Sequence, residues 1–142
     1  MLKYELKDVY RKNRIFANGN QVLVRIMLER KRLDMVMKLN TAGFVSGYRG
    51  SPLGGVDVEM KRASSQLREH EIHFEYGLNE DLAATSCWGT QLVSLSNEYG
   101  FDSTHDGVFS MWYENIDLAR SSQNIIITIN FLQVRKGSWC RS

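Results

Sequence analysis

Gly77-Leu-Asn-Glu-Asp-Leu-Ala-Ala-Thr-Ser-Cys-Trp-Gly-Thr-Gln91 decides the fold, together with the apolar run Ile72-His-Phe-Glu-Tyr76 that leads into it. The run reads as a strand. Asn79 reads as a helix N-cap, because its side-chain oxygen can accept from a free amide of the first turn. Small residues at Ala83, Ala84, Ser86 and Gly89 let another backbone or a ligand approach closely. Glu80 therefore falls where a strand hands over to a helix. Free amides and the positive end of the helix dipole favour a carboxylate at that point. An acid in a first helical turn most often does no more than offset the dipole. The stretch Gly47-Tyr-Arg-Gly-Ser-Pro-Leu-Gly-Gly55 upstream gives Glu80 a functional context.

The same strand-to-helix order occurs there. Phe44 to Tyr48 reads as a strand, Arg49 to Gly55 as a glycine-rich loop, and Val56 to His70 as a helix. Upstream, Gln21 to Leu39 reads as one long amphipathic helix bent near Arg32, broken by Asn40-Thr-Ala-Gly43. Its apolar spacing runs through Val24, Met27 and Leu28 and on to Leu33, Val36 and Met37. The Met-rich face reads as core. Arg30-Lys31-Arg32 reads as the solvated face and C-terminal end of that helix. Downstream, a helix from Glu80 to about Ser96 precedes a polar loop with Asp102, His105 and Asp106. Gly107 to Tyr113 follows as a third strand. Strands alternating with helices imply an α/β fold, a parallel sheet with crossover helices. Ligands of such sheets lie at the carboxyl ends of the strands, here after Tyr48, Tyr76 and Tyr113.

The glycine loop lacks the Gly-Lys-Ser/Thr ending of a nucleotide P-loop and the Gly-x-Gly-x-x-Gly of a dinucleotide site. Glycine often marks a plain tight turn. With Arg49, Gly50 and Ser51 side by side, its functional reading is recognition of a small anion such as a carboxylate. His70, His73 and His105 form no catalytic or metal arrangement. Cys87 and Cys140 match no metal or disulfide spacing, and Cys87 reads as a small buried residue. The 142 residues suit a single domain. With 18 basic and 16 acidic side chains, bulk charge does not point to nucleic acid. No apolar run reaches the roughly 20 residues of a membrane span. A cytoplasmic protein with no membrane partner is the expectation.

Asn40-Thr-Ala-Gly-Phe-Val-Ser-Gly-Tyr-Arg-Gly-Ser-Pro-Leu-Gly-Gly-Val-Asp57, Gly77-Leu-Asn-Glu-Asp-Leu-Ala-Ala-Thr85, Trp88-Gly-Thr-Gln91 and Asp106-Gly-Val-Phe-Ser-Met-Trp-Tyr113 together resemble a known family. It is the indolepyruvate ferredoxin oxidoreductases, the long fused form of the thiamine-dependent 2-oxoacid:ferredoxin oxidoreductases. The resemblance covers roughly Tyr4 to Tyr113. It implies an incomplete thiamine diphosphate pyrimidine-binding domain over residues 19–113, after an N-terminal arm of residues 1–18. It also implies that Glu80, beside Asn79, bonds the aminopyrimidine ring nitrogen of thiamine diphosphate. A carboxylic acid there favours the imino form of the exocyclic amine, which can take the thiazolium proton. Ser51, with Arg49 and Gly50, would line the oxoacid site. The implied reaction is oxidative decarboxylation of an aryl pyruvate, with coenzyme A as acceptor and electrons passing through iron–sulfur clusters to ferredoxin.

The chain departs from the family in three ways. The Gly-Asp-Gly motif and Asn pair for magnesium are not in it, nor is a cysteine set for a cluster. The implied magnesium, clusters and diphosphate site therefore belong to other domains or a dimer partner. Residues 114–142 diverge from the family's text. Starting each codon at the third base from Leu132 permits Ala-Gly-Thr-Lys-Gly-Val-Leu-Val, close to what the family carries there. A frameshift near Glu114 is one account of this tail. Ile125 to Phe131 reads as a strand in any case, being apolar and β-branched. The alternatives to an enzyme fragment are a non-catalytic small-ligand-binding module and a non-functional gene remnant.

Overall fold

A computed structural model describes residues 16–48, 55–93, 104–116 and 124–130, with side chains omitted for 114–116 and 124–130. Helix α1 (Gly19–Val36) comes first, then strand β1 (Thr41–Tyr48). Helices α2 (Val56–Arg62) and α3 (Ser64–Glu69) lead to β2 (Ile72–Gly77). Helix α4 (Glu80–Thr90) is followed by β3 (Gly107–Ile116) and β4 (Asn124–Asn130). The sheet order is β2-β1-β3-β4. The first three strands are parallel, with Gly43 opposite Ile72 and Phe109, and Gly47 opposite Tyr76 and Tyr113. This is an α/β fold with flanking helices. The apolar run in the tail does form a strand. It pairs antiparallel to β3, Met111 opposite Ile129, a direction that composition does not encode.

One face of the sheet holds the main core. Val45 of β1, Ile72 of β2, and Phe109, Met111 and Tyr113 of β3 pack there against α1, α2 and α3. Gly47 faces the same side, and a Cβ on it would meet the Tyr113 ring, with Cδ2 at 2.6 Å. The glycine thus lets an aromatic ring lie across the central strand. On the other face, Cys87 of α4 donates its thiol to the Met111 carbonyl at 3.6 Å, and Gln91 donates to the Ser110 hydroxyl at 3.0 Å.

The helix boundaries correct several expectations. α1 is unbroken and begins two residues before Gln21. Asn18 accepts from the Gln21 amide, and Gln21 accepts from the Asn18 amide, a capping box. Its C-terminus closes in a Schellman turn: the Leu39 amide donates to Asp34, the Lys38 amide to Met35, and Lys38 has φ 58°. The helix expected over Val56 to His70 is interrupted at Ala63, which caps α2 and opens α3. The one expected to about Ser96 ends at Thr90, where Gln91 closes a tighter turn on Trp88.

The second half of α1 overturns two readings. Leu33, Val36 and Met37 are exposed, and so is Met35, so the Met-rich face contributes only Met27 to the core. The buried stripe instead runs Val24, Met27, Leu28, Lys31 and Asp34. Helical spacing is kept, but its chemistry changes to charge. Lys31 is not on the solvated face. It is 4% exposed, and its ammonium donates to the Thr41 carbonyl and, at 2.7 Å, to Glu71. Thr41 donates to Asp34 at 2.7 Å, and Arg30 pairs with Asp34 at 2.8 Å. A buried charge is tolerated when paired and hydrogen-bonded in this way. The network anchors the helix to the amino edge of the sheet.

The hydrogen bond and charge of Lys31 hold the Glu71 carboxyl below its ordinary 4.5, against a smaller effect of burial; His105, 3.7 Å away, adds to the lowering. A depressed carboxyl stabilises the fold above its unfolded value, and that contribution is lost as pH falls through the folded value. The melting temperature of the wild-type chain is therefore expected to fall as pH drops below 4.5. Lys31→Met should flatten that part of the curve. An unchanged acid limb in a thermal melt series would remove the pair from this role.

Candidate functional site

Parallel pairing brings the carboxyl ends of β1, β2 and β3 to one edge, with Tyr48 opposite Gly77 and Gly47 opposite Tyr113. The connection leaving β1 leads to β2 on one side, and the one leaving β2 returns past β1 to β3, so the strand order reverses at β1.

Two small residues set the junction between β2 and α4. A Cβ on Gly77 would meet the Cβ of Ala83 at 2.5 Å and the Asn79 carbonyl at 2.9 Å. Only a glycine lets the first turn of α4 fold back this closely. Asn79 is the N-cap, with extended φ −152° and ψ 179°, and its side-chain oxygen accepts the Leu82 amide at 2.8 Å. That oxygen is committed to the helix. Glu80 is the first helical residue and is half-buried, with Asp81 beside it. Among the described residues no side chain hydrogen-bonds or ion-pairs with the Glu80 carboxylate. Leu78 is 84% exposed, and Leu82 and Tyr48 are also exposed along this edge. The result is a half-buried carboxylate at a helix terminus, beside exposed apolar side chains.

Arg49, Gly50 and Ser51 lie outside the described residues. The end of their loop is visible at Gly55, which abuts the Asn20 side chain of α1. Asp57 opens α2, its Oδ1 accepting the Val58 amide at 2.8 Å. The sequence reading missed Tyr113 as a polar group. Its phenol is buried without a hydrogen-bond partner, and so is the Trp112 indole N–H. Burial, and then the nearby Asp57 and Tyr76, hold that phenol well above its ordinary value. An unpaired donor is invisible in sequence because it depends on what fails to reach it. No group of three or more His, Cys, Asp or Glu stands ready for a metal among the described residues. No helix among them is long and apolar enough to cross a membrane.

Cys87 is buried, as expected, and burial pushes its thiol up to about 11. The thiolate is the reactive form. In a Cys140→Ser background, a thiol reagent at pH 8 should leave Cys87 unmodified until denaturant is added. Prompt labelling of the folded chain would contradict its placement under β3.

Comparison with family models, with curated proteins and with solved structures returns no match for this chain.

Proposed function

We propose that the chain is the pyrimidine-binding, N-terminal part of a thiamine diphosphate-dependent 2-oxoacid ferredoxin oxidoreductase of the indolepyruvate type. The observation that carries this reading is the placement of Glu80. The motif resemblance assigns it to the cofactor's ring nitrogen, and it stands at a helix N-terminus on the carboxyl edge of a parallel sheet. The surroundings suit a flat, largely apolar heterocycle with one polar edge. Leu78 and Leu82 offer apolar contact, and Glu80 offers a hydrogen-bonding carboxyl group beside them. When bound, thiamine diphosphate supplies the carbanion chemistry that cleaves a 2-oxoacid next to its carbonyl.

The part of this chain is to orient and to hold a proton. Asn79 fixes the first turn, Gly77 and Ala83 fix its distance from the sheet, and Glu80 presents its carboxyl group there. Arg49, Gly50 and Ser51 are proposed to receive the oxoacid carboxylate. Magnesium, the diphosphate and the iron–sulfur clusters would be held by other domains or a dimer partner, with coenzyme A and ferredoxin as the remaining reactants.

The test is thermal denaturation of the full chain with thiamine diphosphate and magnesium, with and without a diphosphate-binding domain from the same family. A ligand at about 100 times its Kd adds roughly 2.7 kcal/mol of stability. A rise of several degrees is expected only when that domain is present. No rise in its presence sinks the proposal. Stabilisation by a 2-oxoacid alone would favour a small-ligand-binding module.

A further inference from the structure

Among the described residues, β2 is the last strand on its side of the sheet. The Gly43 amide donates to the Glu71 carbonyl at 3.0 Å, which sets the parity of the ladder. Odd-numbered residues of β2 turn their backbone groups to β1, so Ile72 and Phe74 turn theirs outward. Outward ladder groups are a template for another strand. Edges are commonly blunted with lysine, proline or a bulge. Ile72-His-Phe-Glu-Tyr-Gly77 has neither lysine nor proline. Beside it runs a groove of about 370 Å³, floored by Ile72, Phe74 and Tyr76 and walled by α2 and α3.

The opposite face of β2 carries His73 and Glu75, which are 68% and 64% exposed and 3.4 Å apart. This pattern is its own complement. Let two copies of β2 run antiparallel about a two-fold axis at Phe74. Each His73 then lies directly across from Glu75 of the partner subunit. Phe74 meets Phe74 of the partner subunit at a hydrogen-bonded position. The His–Glu pairs fall at the non-hydrogen-bonded positions, where side chains come closest. Neighbouring registers fail on charge. A shift one way sets Glu75 against itself. A shift the other way sets Glu71 against Glu75. Like charges directly opposite are destabilising.

We propose that this edge is a homodimer interface, with the β2 strands paired antiparallel about Phe74 to join the two sheets into one. The occupant is a second copy because, in this register, each Glu75 faces His73 of the partner subunit and no carboxylate faces another.

The test is the association state of the full chain across a dilution series, read by sedimentation equilibrium. The wild-type chain is expected to dimerise. His73→Glu places two Glu–Glu pairs across the axis and should raise the Kd about tenfold. The double variant His73→Glu/Glu75→Lys restores opposite charges in reversed order and should recover wild-type affinity. Both positions are exposed, so circular dichroism should show intact folds. Exchange of the Phe74 amide should slow with concentration in the wild type and in the double variant. A monomer at every concentration overturns the proposal, as does an assembly indifferent to these charges.

Discussion

Glu80→Gln is expected to lower the turnover of an enzyme reconstituted from this chain and its missing domains by at least about 10²-fold, the lower range for a positioned proton-transfer group. The substitution keeps the size of the side chain and leaves the Asn79 cap on Leu82 in place. What it removes is the acid. The fold should survive, since a carboxylate at a helix N-terminus contributes only about 0.3–1 kcal/mol through the dipole. Asp81→Asn is the control. It removes the neighbouring first-turn charge and should leave turnover near that of the wild type. Equal losses in the two variants would mean that the dipole alone was disturbed. Full turnover in Glu80→Gln would take Glu80 out of the proposed role.

Gly47→Ala is expected to cost about 1–3 kcal/mol, the usual range for overpacking a filled core. A domain of this size then melts roughly 3–5 °C lower for each kcal/mol. The clash is with ring carbons of Tyr113 in the adjacent strand, so the obstacle is not a flexible tip. Tyr113→Phe alone removes a buried hydroxyl with no partner, so in the Gly47→Ala background it should give no rescue beyond the gain seen alone, whereas Tyr113→Leu there should recover part of the loss. Thermal melts of the four variants decide it. A rescue by Phe would mean that the hydroxyl, and not the ring, is what the methyl displaces.

The legible parts of this fold were those fixed by local chemistry. Asn79 could be read as a cap because its partner lies three residues on and the geometry is internal to one turn. The strands ending at Tyr48 and Gly77 were legible for a similar reason, since an apolar run followed by glycine has few other uses. The same chemistry at Asn18 and Gln21 lies ahead of the apolar spacing, which marks the helix only from Gln21 on. Lys31 was illegible in principle. A lysine between two arginines reads as solvated, and only the Thr41 carbonyl and Glu71, brought up by the sheet, give it a buried partner. The place of Glu80 at the start of a helix was legible from the chain. The unpaired Tyr113 phenol was not, because orphaned groups are defined by three-dimensional surroundings.

The hydrogen bonds that fasten the start of β1 to the start of β3 bear on the order in which the chain assembles. Asn40 and Asp106 exchange bonds of 2.9 and 2.7 Å across 66 residues of sequence. The β1–β2 ladder closes less than half that span. Closing a longer loop costs more entropy before any contact repays it, so distant pairings slow folding. The parallel crossover unit of β1, its two helices and β2 is thus expected to gather first, and β3, with β4 paired to it at short sequence separation, to dock afterwards from the far side. Until it docks, the inner edge of β1 stays open, and Gly47 has no ring beside it.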